Sequence, residues 1–387
     1  MQTQAPKFSA RHYTSLDGLR GLAFLLVFVH HYALTSHSTQ PWILALAWLA
    51  DGGWMGVDLF FVLSGFLITG ILLDTRGGRN YYINFYARRS LRILPLYYGI
   101  LFLLLALTPL WHLQWRLGHI GYFLYMGNIA GHVDNSLNTV KPFVNLTHTW
   151  SLAVEEQFYL LWPLLVAWAA SSRRLLKLCF GLAGIGLLLR VLLLLTQSLG
   201  HAAEWSYGEL PTHADGLLMG AVAAILVRHY PLTVLVRRTL LPIVASGLVL
   251  GLLAIHGRSL DYHAAWMTVV VYPALAVFFS CTLIRALHPG TVMHAIGKLG
   301  MLRFFGRYSY GMYLYHQILS PLTGRLLPVL QAKLHSTTLG GLAYFFLIFA
   351  STIVVSVISY ELYEKQWLRL KSRFAFARDT MDVAAAS

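Results

Sequence analysis

Ten stretches of roughly twenty apolar residues follow one another along this chain, near 17–36, 54–73, 93–112, 148–170, 175–197, 213–229, 240–257, 264–287, 303–323 and 338–363. A helix of ~20 such residues crosses the ~30 Å hydrocarbon core of a bilayer. There, backbone polar groups must be satisfied within the structure, and long apolar runs satisfy them as helices. The expected fold is therefore all-α, a polytopic membrane protein with about ten transmembrane helices. Composition agrees: 57% of residues are hydrophobic and 11% charged, against roughly 45–50% and 25% in soluble domains. Such a charge content does not cover the surface of a water-soluble enzyme of this length. The first segment resembles a signal peptide, with Arg20 before an apolar run, but nine further segments and the His30–His31 pair favour an uncleaved helix.

The net charge of +14 would suggest nucleic acid in a soluble protein. Here it reads as topology. Of the 29 Lys and Arg, 22 fall at the N-terminus, in alternate loops or in the tail from Lys365, and five in the opposite loops (Arg116, Lys141, Arg258, Arg325 and Lys333); Arg190 and Arg307 lie within spans. Basic loops stay cytoplasmic, so the expected topology is N-in and C-in, with no nucleic-acid partner. The expected organisation is a cytoplasmic N-terminal segment, 1–16, a membrane-embedded domain, 17–363, and a basic cytoplasmic tail, 364–387. Cys179 and Cys281 lie in apolar stretches without a partner motif, which supports neither a disulfide framework nor a Cys-based metal site. The outer segment, roughly 113–147, holds a semi-apolar stretch, 120–129, expected to lie at the interface or to re-enter.

Ionisable groups inside a membrane are costly, and each is a functional candidate. In the first span Arg20 and His31 are eleven residues apart, which on a helix puts them on one face, ~16 Å apart along the axis, with His30 turned ~80° away. A neutral imidazole is the usual general base near pH 7, and a guanidinium holds phosphate through paired hydrogen bonds; the bland alternative is a snorkelling arginine with gap-filling histidines. Residues 84–95 form an inner loop with Arg88, Arg89 and Arg92 directly before the third span. This is either a topogenic cluster or, if helical, an i,i+4 pair able to grip a polyphosphate. Glu155 and Glu156 open the fourth span, with His148 seven residues before Glu155 and on its face if the helix already includes it. Asp58, Ser64, His213, Asp215, Arg307 and His316 are further polar spots. Singly each suits an interhelical hydrogen bond, and together they suggest a polar cavity. No Walker loop, dinucleotide fingerprint, His-Glu-x-x-His or Gly-x-Ser-x-Gly elbow is found.

Taken in order, these residues resemble a known family. Residues 16–31, with Arg20 and His31 in an Arg-x10-His pattern, are similar to the first helix of the acyltransferase 3 family of bacterial membrane O-acyltransferases. Residues 56–68, 85–95, 150–163 and 309–316 resemble its second-helix motif, arginine-rich inner loop, fourth-helix block and a late-helix motif. The likeness runs from about 14 to 365. His213 stands where arginine is expected before Asp215, and Gln317 where an aromatic residue is common.

The resemblance implies transfer of an acyl group, expected to be acetyl, from cytoplasmic acyl-CoA as co-substrate to a hydroxyl of an envelope glycan, a lipid-linked sugar or a small secondary metabolite. The implied location is the inner membrane of a bacterium, and no metal is expected. His31 becomes the catalytic candidate, with Glu155 and Glu156 as supporting groups. Arg20, Arg88, Arg89 and Arg92 become candidates for the CoA phosphates, and Asp58, Ser64, His148, Asp215 and His316 for acceptor or cavity groups. Neither cysteine sits beside a histidine or carboxylate in sequence, which favours direct transfer over an acyl-cysteine. A different class, a proton-coupled transporter of glycan or lipid, also suits ten spans with buried ionisable groups. It would accumulate substrate without CoA turnover. A third, a structural partner with a degenerate site, would tolerate loss of the polar residues.

Overall fold

The computed structural model describes residues 13–32, 50–257 and 265–374 of the 387. Ten long helices occupy the expected segments. They are α1 (Thr14–Tyr32), α2 (Gly56–Thr75), α3 (Tyr81–Ala106), α4 (Trp150–Ala169), α5 (Ser172–Thr196), α6 (Asp215–His229), α7 (Leu240–Gly257), α8 (Ala265–Leu287), α9 (Gly300–Ile318) and α10 (Thr337–Ser359). Six stretches containing α2, α3, α5, α7, α8 and α10 are long and apolar enough to cross a membrane. The other four are helical but short or polar. α6 has 15 residues, α1 carries Asp17, Arg20, His30 and His31, α4 carries Glu155 and Glu156, and α9 carries Arg303 and Arg307. Candidate polar residues thus occur both in these four helices and in α2 and α3, which carry Asp58, Ser64, Arg88, Arg89 and Arg92.

Two boundaries differ from expectation. α3 begins at Tyr81, so the expected inner loop, 84–95, is helix and its arginines lie on adjacent turns of α3. Asn84, Phe85 and Ile93 on the same turns are buried, and that apolar stripe is what carries the helix back beyond the arginines. At the other end, α10 passes through a π-helical turn, Tyr360–Glu364, into Lys365–Arg369 and Leu370–Phe374.

The chain divides into two compact units, Met1–Gly70 with Ser151–Trp162 and Trp168–Ser309, and Ile71–Trp150 with Pro163–Ala167 and Tyr310–Ser387. In the first, glycines let backbones touch. A Cβ at Gly65 would overlap the Leu217 carbonyl, and one at Gly306 the Asp17 carbonyl, so α2 meets α6 and α1 meets α9 at separations that only small residues permit. Leu19, Val62, Ala224, Leu275 and Leu283 fill the interior. Leu188, Leu195, Leu248 and Leu252 point outward, an apolar exterior suited to lipid tails.

In the second unit Pro95 lies within α3. Two hydroxyls bond the backbone here: Tyr310 donates to the Ile93 carbonyl at 2.8 Å, and Tyr363 to the Pro95 carbonyl at 3.1 Å. The segment 113–147 forms short helical turns, including Ile120–Phe123 and Gly127–Val133, and a two-stranded antiparallel hairpin, β1 (Thr139–Val140) and β2 (Val144–Asn145). Tyr97 and Tyr98 tie it to α3 by donating to the Tyr122 and Phe123 carbonyls at 2.8 and 2.7 Å.

Candidate functional site

On α1, Asp17 lies in the first turn, where a carboxylate complements the helix dipole. Arg20 donates to Asp17 Oδ1 at 2.9 Å. Both are half-buried, so an incoming anion would meet a guanidinium already held by a carboxylate. His31 lies on α1 and is exposed, whereas His30 is half-buried; their rings meet edge to face with centroids 5.1 Å apart. An exposed imidazole is accessible to an acceptor hydroxyl in a way that a core histidine is not.

α2 and α4 supply the carboxylates. Ser64 Oγ donates to Glu155 Oε1 at 2.5 Å, and further along the same pair of helices Trp162 Nε1 donates to Thr69 Oγ1 at 2.8 Å. Both numbers rise together, so the two helices run parallel, as they must if each enters from the same side. Ser64, Glu155 and Glu156 are half-buried. Glu156 is turned ~100° from Glu155, so the adjacent carboxylates serve different faces of α4.

Deeper in this unit lies a fully enclosed polar set that sequence reasoning found only in part. Asp58, 0% exposed, meets His213 Nε2 through Oδ1 at 3.0 Å, and His213 Nδ1 lies 2.6 Å from the Tyr207 carbonyl. A carbonyl only accepts, so Nδ1 carries a proton. The His213 ring stacks on Tyr272, centroids 4.3 Å apart at 14°, and the Arg190 guanidinium lies 5.6 Å from the same ring. Arg190, also 0% exposed, grips Asp215 with both terminal nitrogens, at 2.5 and 3.1 Å, and donates to the Thr212 carbonyl at 2.6 Å. Asp58 and Asp215 are therefore committed to internal partners. Arg190 appeared in the sequence only as a charge inside a span; its distance of 25 residues from Asp215 hides the pairing.

The second unit holds the remaining candidates. Arg88, Arg89 and Arg92 lie half-buried on α3, and Arg88 Nη1 donates to the Phe374 carbonyl at 3.3 Å. Glu364, in the π-helical turn, lies in electrostatic range of Arg92, and Ser359 Oγ donates to it at 3.4 Å. A π turn marks a local insertion often found at functional positions, and no spacing in the sequence announced it. His148 lies in the 3-10 turn Thr147–Thr149, before α4 begins, so the helical alignment with Glu155 does not apply. It is buried, with Nε2 3.1 Å from the Leu314 carbonyl and its ring edge-on to His316 at 5.2 Å. His316 Nδ1 lies 2.6 Å from the Tyr313 carbonyl, and Tyr313 donates to the His148 carbonyl at 3.0 Å. These bonds fasten α9 to the turn before α4. Among the described residues no group of three or more His, Cys, Asp or Glu is arranged to hold a metal ion.

The acyltransferase 3 family model, described as an acyltransferase domain, matches residues 13–361. The chain belongs to this family. Relatives of this acyltransferase domain include the peptidoglycan O-acetyltransferase OatA of Listeria monocytogenes, 29% identical over 379 residues, covering 92% of this chain and 56% of the relative. The O-acetyltransferase OatA of Staphylococcus aureus is 27% identical over 330 residues, covering 80% of this chain and 51% of the relative. The chain spans about half the length of these curated relatives. No solved structure matches it.

Proposed function

We propose that this acyltransferase domain moves an acetyl group from cytoplasmic acetyl-CoA to a hydroxyl of an envelope glycan, with peptidoglycan the first acceptor to test. Membership of the family over 13–361 carries the reaction class, and the OatA relatives carry the acyl group and the glycan. The proposed topology is N-in and C-in in the cytoplasmic membrane of a bacterium, from the asymmetry of Lys and Arg. Arg88, Arg89 and Arg92 then lie on the cytoplasmic side, where a phosphate-bearing donor arrives, and His31 lies ~16 Å along α1 from Arg20, towards the acceptor side. The acyl group crosses on the flexible pantetheine arm while the nucleotide stays inside.

In the proposed step His31 removes the acceptor's hydroxyl proton, the oxygen attacks the thioester carbonyl, and the C–S bond breaks to release CoA thiolate. The exposure of His31 on α1 supports this role. His31→Ala should lower acceptor-dependent release of CoA by ~10²–10⁴-fold at matched folded amounts, while His30→Ala keeps measurable turnover. Wild-type turnover by His31→Ala would overturn the assignment. Mass spectrometry of envelope glycans from cells with and without the protein identifies the acceptor, and an unchanged glycan with transported substrate would favour the transporter instead. Reporters at Ser198 and after Ser387 should report opposite sides of the membrane.

A second route is favoured by one contact, the 2.5 Å bond from Ser64 to Glu155. A carboxylate that accepts the Ser64 proton would let its oxygen take the acetyl group from CoA, releasing the thiolate, before passing that group to the acceptor hydroxyl. An acetyl adduct on Ser64 in intact-mass spectra after incubation with acetyl-CoA alone would establish this route. Full turnover by Ser64→Ala would remove it.

A further inference from the structure

The helix that begins as α10 departs from regular geometry at one place. Tyr344, Ile348, Thr352 and Ser356 belong to its buried stripe. Seven residues beyond Ser356, about two turns on, an unbroken α-helix would bring residue 363 onto that stripe. The π turn Tyr360–Glu364 takes up one extra residue. Tyr363 is 39% exposed and Glu364 only 9%, so the insertion puts a carboxylate on the inner face in place of a phenol.

Contacts on several sides fix where that carboxylate sits. Ser359 Oγ donates to Glu364 Oε1 at 3.4 Å and itself accepts from the Tyr315 hydroxyl at 2.9 Å. A Cβ at Gly311 of α9 would stand 3.3 Å from the same carboxylate oxygen, so a side chain there would press on it. The residues just before these two, Tyr363 and Tyr310, are the ones bonded to the Pro95 and Ile93 carbonyls of α3. Arg92 directly precedes Ile93 and stands three residues before Pro95, on the turn that the two tyrosines hold. Glu364 is accordingly in electrostatic range of Arg92, while Glu361, the other acid of the π turn, takes Lys365 at 2.6 Å.

We propose that Glu364 is a positioning residue for Arg92: held between Ser359 and α9, its carboxylate fixes the guanidinium in the orientation that meets a phosphoryl group of the CoA donor. This rests on the reading of the donor as acyl-CoA. A guanidinium is a planar fork of five N–H groups, so one edge can meet a carboxylate while another meets a phosphoryl oxygen. A long side chain loses rotamer freedom when it binds a ligand, and a carboxylate that has already fixed it removes part of that cost. Glu364 can do this because it is itself buried and held, whereas an exposed glutamate on a regular helix would move with its own rotamers.

The test uses the full chain in nanodiscs of neutral phosphatidylcholine, with binding of CoA and of phosphate-free pantetheine followed by calorimetry at matched folded amounts. Glu364→Gln keeps the size and removes the charge; it should weaken CoA by ~3–10-fold and leave pantetheine unchanged. Glu364→Asp keeps the charge and should bind CoA more tightly than the Gln variant does. A merely structural role would give the reverse order, or equal weakening of both ligands, and either result, like unchanged CoA binding by Glu364→Gln, overturns the proposal. Arg92→Gln should weaken CoA selectively by ~10-fold, and adding Glu364→Gln to it should cost nothing more, because the residue to be positioned is gone; losses that multiply overturn the proposal. If Arg92→Gln is selective for CoA while Glu364→Gln is not, the positioning role fails and the donor reading stands. If Arg92→Gln does not distinguish CoA from pantetheine, the donor reading fails at this residue and the proposal with it. Should Glu364→Gln not fold, Ser359→Ala replaces it: the carboxylate stays but loses the hydroxyl that holds it, and a selective loss of ~3-fold is expected, with unchanged CoA binding overturning the proposal.

Discussion

The enclosed set around Tyr272 and the arginine face of α3 meet the cost of charge near a membrane in opposite ways. In the first, Arg190 and Asp215, Asp58 and His213 each have a partner of matching chemistry inside the protein, and all four are buried. In the second, cations outnumber carboxylates and remain half-buried. A polar group paired deep within the fold holds helices together, whereas a half-buried one stays within reach of something that arrives. The comparison separates candidate residues that are alike in sequence.

Substitution tests this separation, with the largest effect expected at Arg190. Arg190→Met strands the Asp215 carboxylate and should cost ~3–5 kcal/mol in denaturant unfolding from mixed micelles, with Arg190→Met combined with Asp215→Leu recovering much of the loss. A loss below ~1 kcal/mol would break the comparison. His213→Phe keeps a ring to stack on Tyr272 but leaves Asp58 and the Tyr207 carbonyl without their partner, a loss of ~1–3 kcal/mol by the same measurement. Ser64→Ala removes one hydrogen bond from a half-buried carboxylate and should cost ~0.5–1.5 kcal/mol. Arg88→Gln should change stability by less than ~1 kcal/mol yet weaken CoA binding, and a variant that unfolds without affecting CoA would move Arg88 into the structural class.

The smallest effect belongs to the exposed ion pair of the 113–147 segment. Asp134 is held below its usual range, first by the Ser136 hydroxyl and also by Arg116. A carboxyl lowered on folding contributes fully above its ordinary value of 3.8, and the contribution disappears only as pH falls through the lowered folded value. Amide protection factors in the 113–147 segment, corrected for the intrinsic pH dependence of exchange, should therefore be flat from pH 7 down to about 3.8 and fall only below it. A fall at neutral pH would point to a different titrating group.

Much of the helical plan was legible because hydrophobic run length is a local property. The expected and observed helices agree closely at the start of α7, Leu240, and at the end of α8, Leu287. They disagree at α3, where the arginines resemble a loop until buried Asn84 and Phe85 are seen to give the helix an inner face. The site was legible as a set of residue types. Arg20, His31, Ser64 and Glu155 could be singled out, but the bond between Ser64 and Glu155 spans 91 residues and leaves no trace in either local pattern. Arg190 was passed over for the same reason.

Its ordered motifs resembled the acyltransferase family that the family match shows, and by itself the sequence determined the helical class and the approximate extent of the helices. Each follows from composition or from spacing along one helix, where rise and turn per residue are constant. Only the tertiary structure decided which polar groups are consumed by one another: Asp58 by His213, Asp215 by Arg190, and the Phe374 carbonyl by Arg88. Hydrogen bonding acts over ~3 Å, and which distant residues come within that range is set by how the helices pack.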